Sequence, residues 1–119
     1  MTLMLVLLGG AIGAPARYLT DVAVQRLHGS TFPWGTWTVN VAGSFVLGLV
    51  AAGAATWMET LVGTGFCGAL TTFSTFGYET VRLAEEGEAS TATANVVGSL
   101  AVGLLAAALG WWVGALVGI

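Results

Sequence analysis

The chain has no lysine, and charged residues of any kind make up only 8% of it. A soluble domain usually carries about a quarter, so this chain lacks the groups needed to coat a water-facing surface. With 56% of its residues hydrophobic, lipid is the solvent its composition fits. Its three arginines are too few to bind a phosphate backbone, which excludes a nucleic-acid partner. The single cysteine, Cys67, excludes an intramolecular disulfide; inside an apolar run it reads as a small hydrophobic residue. The one histidine, His28, falls in a loop. No nucleophile-and-base pair or metal-ligand cluster accompanies it, so an enzyme is not expected. No Lys or Arg precedes the apolar run over residues 1–14. That run is therefore expected to be retained as a first span rather than cleaved as a signal peptide.

What remains is apolar sequence cut by a few charges. Those charges leave four segments of membrane-crossing length, roughly 3–24, 36–57, 61–81 and 91–117. They predict one all-α, four-span integral membrane domain over residues 1–119. The first connection is "QRLHGSTFPWG", with Pro33 as breaker, and Glu59 marks a tight second one. "RLAEEGEAS" is the only plainly aqueous stretch, and "GWW" near the C-terminus fits an interfacial aromatic belt. Arg26 and Arg82 fall on the same side, opposed by nothing basic but the terminal amine. So weak a bias allows insertion in either orientation.

Glycine is abundant, at 18 residues. Gly9 and Gly13 are four apart, as are Gly110, Gly114 and Gly118. Such ladders let helix backbones approach closely, although they also arise by chance in glycine-rich chains. Spans two and four match at an offset of 55: "TWTVNVAGSFVLG" against "TATANVVGSLAVG". Thr36, Asn40 and Ser44 line one helix face, and Thr91, Asn95 and Ser99 do the same. Each stripe serves equally as hydrogen-bonded glue between helices or as a donor-lined path for a polar solute.

The third span is the unusual one. "GALTTFSTFG" places four hydroxyls and two phenylalanines at its centre. Ser and Thr hydroxyls compete for backbone groups, and glycines surround them, so a helix break is expected here. Irregular backbone at membrane depth is tolerated only where it is buried in protein or lines a wet cavity. Freed carbonyls there suit a small hard cation; amide and hydroxyl donors suit an anion. Phe73 and Phe76, three apart, read either as lipid contacts or as ring edges turned to an anion, since an aromatic edge is positive.

"GALTTFSTF" with Glu79 in "YET", "GAPARY" in span one and "WGTWTVNVAGS" in span two together resemble the Fluc/CrcB-type bacterial fluoride channels. The resemblance covers essentially the whole chain; Ala69 stands where members commonly have a second glycine. It implies a passive, highly selective channel that exports fluoride across the cell (inner) membrane. It implies an antiparallel, dual-topology homodimer with two pores and a third helix broken mid-membrane. At the break it implies a structural Na⁺ at the dimer interface, held by backbone carbonyls of Gly68 and Thr71 from both subunits. Phe73 and Phe76 match the pore phenylalanines, Asn40 the pore asparagine, and Ser74, Thr75 and Ser99 the polar track. Arg17 matches a vestibule arginine, and Glu79 a family position of less defined role. Apart from the resemblance, Arg17 reads either as facing an aqueous cavity or as snorkelling beside Asp21. The competing function is a small, dual-topology, proton-coupled multidrug transporter. That class needs a carboxylate deep in its first span, where this chain has Arg17.

Overall fold

The computed structural model describes residues 1–29 and 31–119, and all regular structure among them is helical. In order these are α1 (Thr2–His28), α2 (Trp34–Ala51), α3 (Thr56–Met58), a π-wound segment (Glu59–Cys67), α4 (Gly68–Leu70), α5 (Phe73–Glu85) and α6 (Ala89–Val117). Helices α1, α2 and α6 are long and apolar enough to cross a membrane. The third expected span is assembled from shorter pieces.

Several boundaries differ from those expected, among them the end of the third span, since α5 runs on to Glu85 and takes in the start of the expected aqueous stretch. Helix α1 runs on past residue 24, because Arg26 and His28 do not oppose a helix; cations favour the negative end of its dipole. It stops at Gly29, whose left-handed φ of 57° turns its N–H back onto Gln25 O at 2.9 Å. Helix α2 ends early, at Ala51, rather than near Trp57. The turn that follows uses Gly53 at φ 148°, a value that suits glycine. The stretch "AAGAA" is apolar, so hydropathy does not register the turn. Glu59 accordingly lies inside the π-wound segment and not in the connection.

The glycine ladders are contacts between backbones. A Cβ at Gly48 would collide with Ala107 O, and one at Gly110 with Phe45 O. These two glycines set the close approach of α2 to α6, the most extensive helix pair. Helix α1 packs in the same way on the π-wound segment. A Cβ on Gly9 would strike Leu61 O, and one on Gly65 would lie 2.9 Å from Val6 O. Gly118 is no rung of its ladder; it is the left-handed cap of α6, at φ 83°.

The burial pattern is that of a protein dissolved in lipid. The buried set includes Thr36, Thr72 and Asn95, while Leu3, Leu7, Ile12, Leu104 and Leu105 point outward. In water that distribution would be costly; in a bilayer polar groups gather inside and apolar ones face the chains. The long axis of 46 Å suits a bilayer of about 40–45 Å including its headgroups.

Candidate functional site

Helix α4 gives way to α5 through two extended residues, Thr71 (φ −81°, ψ 158°) and Thr72 (φ −150°, ψ 117°). The cause is a competition for backbone groups. Thr72 N, which an unbroken α-helix would direct to Gly68 O, donates instead to Asn40 Oδ1 at 2.7 Å. In return Asn40 Nδ2 donates to Thr72 O at 3.1 Å. The carboxamide therefore replaces a peptide group and pairs with Thr72 as a neighbouring strand would. Thr75 N, whose helical acceptor would be Thr71 O, donates to the Thr72 hydroxyl at 3.2 Å. Thr72 thus acts as the N-cap of α5. The two diversions withdraw from the carbonyls of Gly68 and Thr71 the donors that a continuous helix would supply.

Around this interruption lies a cleft of about 360 Å³. Asn40, Gly68, Thr71, Phe73, Phe76 and Ser99 all line it, so six of the expected site residues meet in one place. Leu47 and Leu100 supply part of its apolar wall. The rings of Phe73 and Phe76 are 5.8 Å apart between centroids and tilted by 47°. Phe76 is half-buried, whereas Phe73 is 83% exposed. Asn40 has two N–H bonds. One is spent on Thr72 O, and the other remains for the cleft.

A second, smaller cavity of about 110 Å³ is lined by Arg17, Asp21, Thr36, Thr72 and Thr75, among others. Thr72 borders both cavities. Arg17 and Thr75 line the smaller cavity and not the cleft with the phenylalanines. Ser74 lines neither cavity and reaches the site only through its hydroxyl, 3.4 Å from that of Thr72. Glu79 has Thr36, Asp21 and Arg82 as neighbours, the first two of which line the smaller cavity. Its Oε1 is buried and has no hydrogen-bond partner among the described residues. Asn95 borders neither cavity and is buried between α5 and α6.

Two contributors stand out less in the sequence. Thr72 is the junction of the whole arrangement, and the available signal was a hydroxyl residue just before "FSTF", the position of a helix N-cap. Thr80 joins α5 to Asn95; its only signal is a position four residues after Phe76, on the same face. Among the described residues no three His, Cys, Asp or Glu side chains converge on a metal site. A cation at the interruption would depend on backbone oxygens, and the carbonyls of Gly68 and Thr71 have the hard-donor chemistry that fits one.

Known proteins share this chain's sequence along nearly its whole length. The FluC 1 fluoride-specific ion channel of Frankia casuarinae is 55% identical over 120 residues, covering 92% of this chain and 93% of that protein. Its counterpart in Streptomyces avermitilis is 50% identical over 117 residues, with 94% of each chain covered. The FluC fluoride-specific ion channel of Acidobacterium capsulatum is 44% identical over 120 residues, with 96% of each covered. Residues 4–111, which take in both cavities, match the family described as CrcB-like protein, Camphor Resistance (CrcB). The chain belongs to that CrcB-like family.

Proposed function

We infer that this protein is a multi-pass membrane channel, not an enzyme, that passes fluoride passively and selectively. The observation that carries the reading is the cleft at the α4–α5 interruption, in a chain whose relatives are named fluoride-specific ion channels. Fluoride holds its water tightly, so entry requires donors that replace the lost shell. The free N–H of Asn40 and the positive ring edges of Phe73 and Phe76 offer such replacement without a competing charge. Several weak contacts in sequence allow exit as well as entry. Arg17, at the smaller cavity, would draw the anion toward Thr72 and Thr75. In a cell the passive path would let fluoride leave through the inner membrane and prevent its toxic accumulation.

The finer reading includes a four-span subunit over residues 1–119, its third helix broken mid-membrane, and an antiparallel, dual-topology homodimer. Support comes from the 83% exposure of Phe73 and from the open space in front of Gly68. A second copy would cover both. A single-chain mass in mild detergent and in native membranes would rule the dimer out. Na⁺ at that interface would be held by the carbonyls of Gly68 and Thr71 of two subunits. Bound there, it would offset the repulsion between the partly negative carbonyl oxygens of the two subunits. Sodium-free preparation is then expected to lower dimer stability and fluoride efflux several-fold, with recovery on adding sodium. Equal behaviour in sodium and in a large organic cation would exclude that role.

Purified protein in liposomes provides the main test. Fluoride efflux with no measurable chloride efflux is expected, without need of a proton gradient. Phe76→Ile keeps bulk but loses the ring edge, and about tenfold slower efflux is expected, equivalent to about 1.4 kcal/mol. Absence of fluoride efflux from the wild type, or efflux only under a proton gradient, would overturn the reading. The second of these outcomes is what the transporter alternative requires; the family match does not support that alternative.

A further inference from the structure

We propose that Asn95 is a positioning residue for the conduction path: through Thr80 it fixes the turn of α5 that carries Phe76. The proposal rests on the channel reading above. Asn95 is only 1% exposed, and its carboxamide is engaged at both ends. Nδ2 donates to Thr80 Oγ1 at 2.9 Å, and Oδ1 accepts from Ser99 Oγ at 3.3 Å. The Thr80 hydroxyl in turn donates to Phe76 O at 2.8 Å. A continuous chain of hydrogen bonds therefore runs from Ser99, on the wall of the cleft, through Asn95 and Thr80 to the backbone of Phe76.

The second asparagine acquires its meaning beside the first. Asn40 grips α5 at Thr72, just before its first turn. Asn95 grips it at Thr80, on the other side of both phenylalanines. The two asparagines that correspond at an offset of 55 residues thus hold the phenylalanine-bearing segment from both ends. One grip alone would leave α5 free to twist beyond Thr72. Leu83, on the same face, is fully buried, but apolar packing is not directional. A fully satisfied buried polar network does fix direction. Phe76, Thr80 and Leu83 share one face of α5, so a rotation there moves the Phe76 ring directly.

The double variant Thr80→Val with Asn95→Leu tests this. It removes donor and acceptor together, so no buried polar atom of the pair is stranded. Ser99 can turn its hydroxyl to its own helix backbone. The variant is expected to purify and elute as the wild type does. Amide hydrogen exchange over residues 73–80 should quicken about tenfold, and fluoride efflux should fall about tenfold, as expected when a directional network is lost. Thr80→Ser with Asn95 kept leaves the hydroxyl in place and is expected to show wild-type exchange and efflux. If the double variant does not fold, Asn95→Leu alone serves instead. Thr80 still donates to Phe76 O, and only its link to α6 is lost. The same two changes are then expected. Wild-type exchange over residues 73–80 overturns the proposal whatever the efflux. Faster exchange with wild-type efflux overturns it too, since position would then not govern conduction. Wild-type vesicles that release no fluoride would instead refute the channel reading, and the exchange comparison would still decide whether Asn95 positions α5.

Discussion

Asn40→Asp is expected to slow fluoride efflux from liposomes at least about 100-fold, equivalent to about 2.7 kcal/mol. The wild-type side chain does three things at once. Its Oδ1 takes the N–H of Thr72, one N–H satisfies Thr72 O, and the other N–H remains for the cleft. An ionised Asp keeps only the first. It places a second acceptor against Thr72 O, at a contact that is now 3.1 Å, and a buried acceptor left unsatisfied costs about 1–3 kcal/mol. It also sets a negative charge beside the anion path. Two like charges 4 Å apart repel by about 4 kcal/mol at an effective dielectric of about 20. Protonation does not rescue the site. A neutral Asp has one hydrogen; given to Thr72 O it leaves none for fluoride, and given to fluoride it leaves Thr72 O unpaired. Both routes lead to loss of conduction, so efflux within threefold of the wild type would remove Asn40 from the path.

The same geometry places Thr72 at both cavities. It lines the smaller one, with Arg17, and the cleft with the phenylalanines. Its backbone is held by Asn40 and its hydroxyl by Thr75. The Thr72 hydroxyl donates to Thr75 Oγ1 at 3.1 Å while accepting from Thr75 N, so it is committed to the local turn. An anion that moves between the cavities meets a fixed threonine rather than a mobile one. With its N–H given to Asn40 and its hydroxyl hydrogen to Thr75, Thr72 keeps no donor of its own for an anion, and its part is to hold the backbone between the two cavities' linings.

Much of this was legible in the sequence because charge is so scarce. Arg26 sits in the last turn of α1 and Glu85, Glu86 and Glu88 at the α5–α6 connection, although Glu59 marks no connection, and the small-residue ladders at Gly9 and Gly110 proved to be backbone contacts. The crowding of hydroxyls between Gly68 and Gly77 marked the interruption, since serine and threonine compete for peptide groups. Other features leave no trace in hydropathy. The turn at Gly53 lies among alanines as apolar as the helix before it. The π winding of residues 59–67, on which α1 packs Gly9 and Gly13, has no hydropathy signature either. The partner of Asn40 was equally hidden: spacing places Asn40 on a face, but only the packing of α2 shows that Thr72 waits opposite. Asn95 looked identical to Asn40 in its repeat, yet it faces away from the cleft because α6 meets α5 four residues beyond Phe76.

Gly110→Ala combined with Gly48→Ala is expected to abolish the folded bundle. A Cβ at Gly110 would overlap Phe45 O and lie 3.0 Å from Leu49 N; a Cβ at Gly48 would overlap Ala107 O and lie 2.9 Å from Ala107 C. Every one of those atoms is backbone, so no rotamer change relieves the collision. Relief requires α2 and α6 to separate, and these helices share the most extensive contact in the molecule. Overpacking costs about 1–3 kcal/mol per site where neighbours can adjust, and here they cannot. Separation would also disturb Asn40 and Ser99, which face the same cleft from those two helices. Loss of the monodisperse elution peak in detergent, with a large fall in Tm for either single variant, is the expected result. Gly98→Ala is the matched control on α6. There the nearest atom to a new Cβ is Trp37 Nε1 at 3.7 Å, an ordinary contact, and alanine favours the helix by about 1 kcal/mol over glycine. Its Tm is expected to hold or rise. A Gly48→Ala/Gly110→Ala protein as stable as Gly98→Ala would mean that α2 and α6 do not meet backbone to backbone.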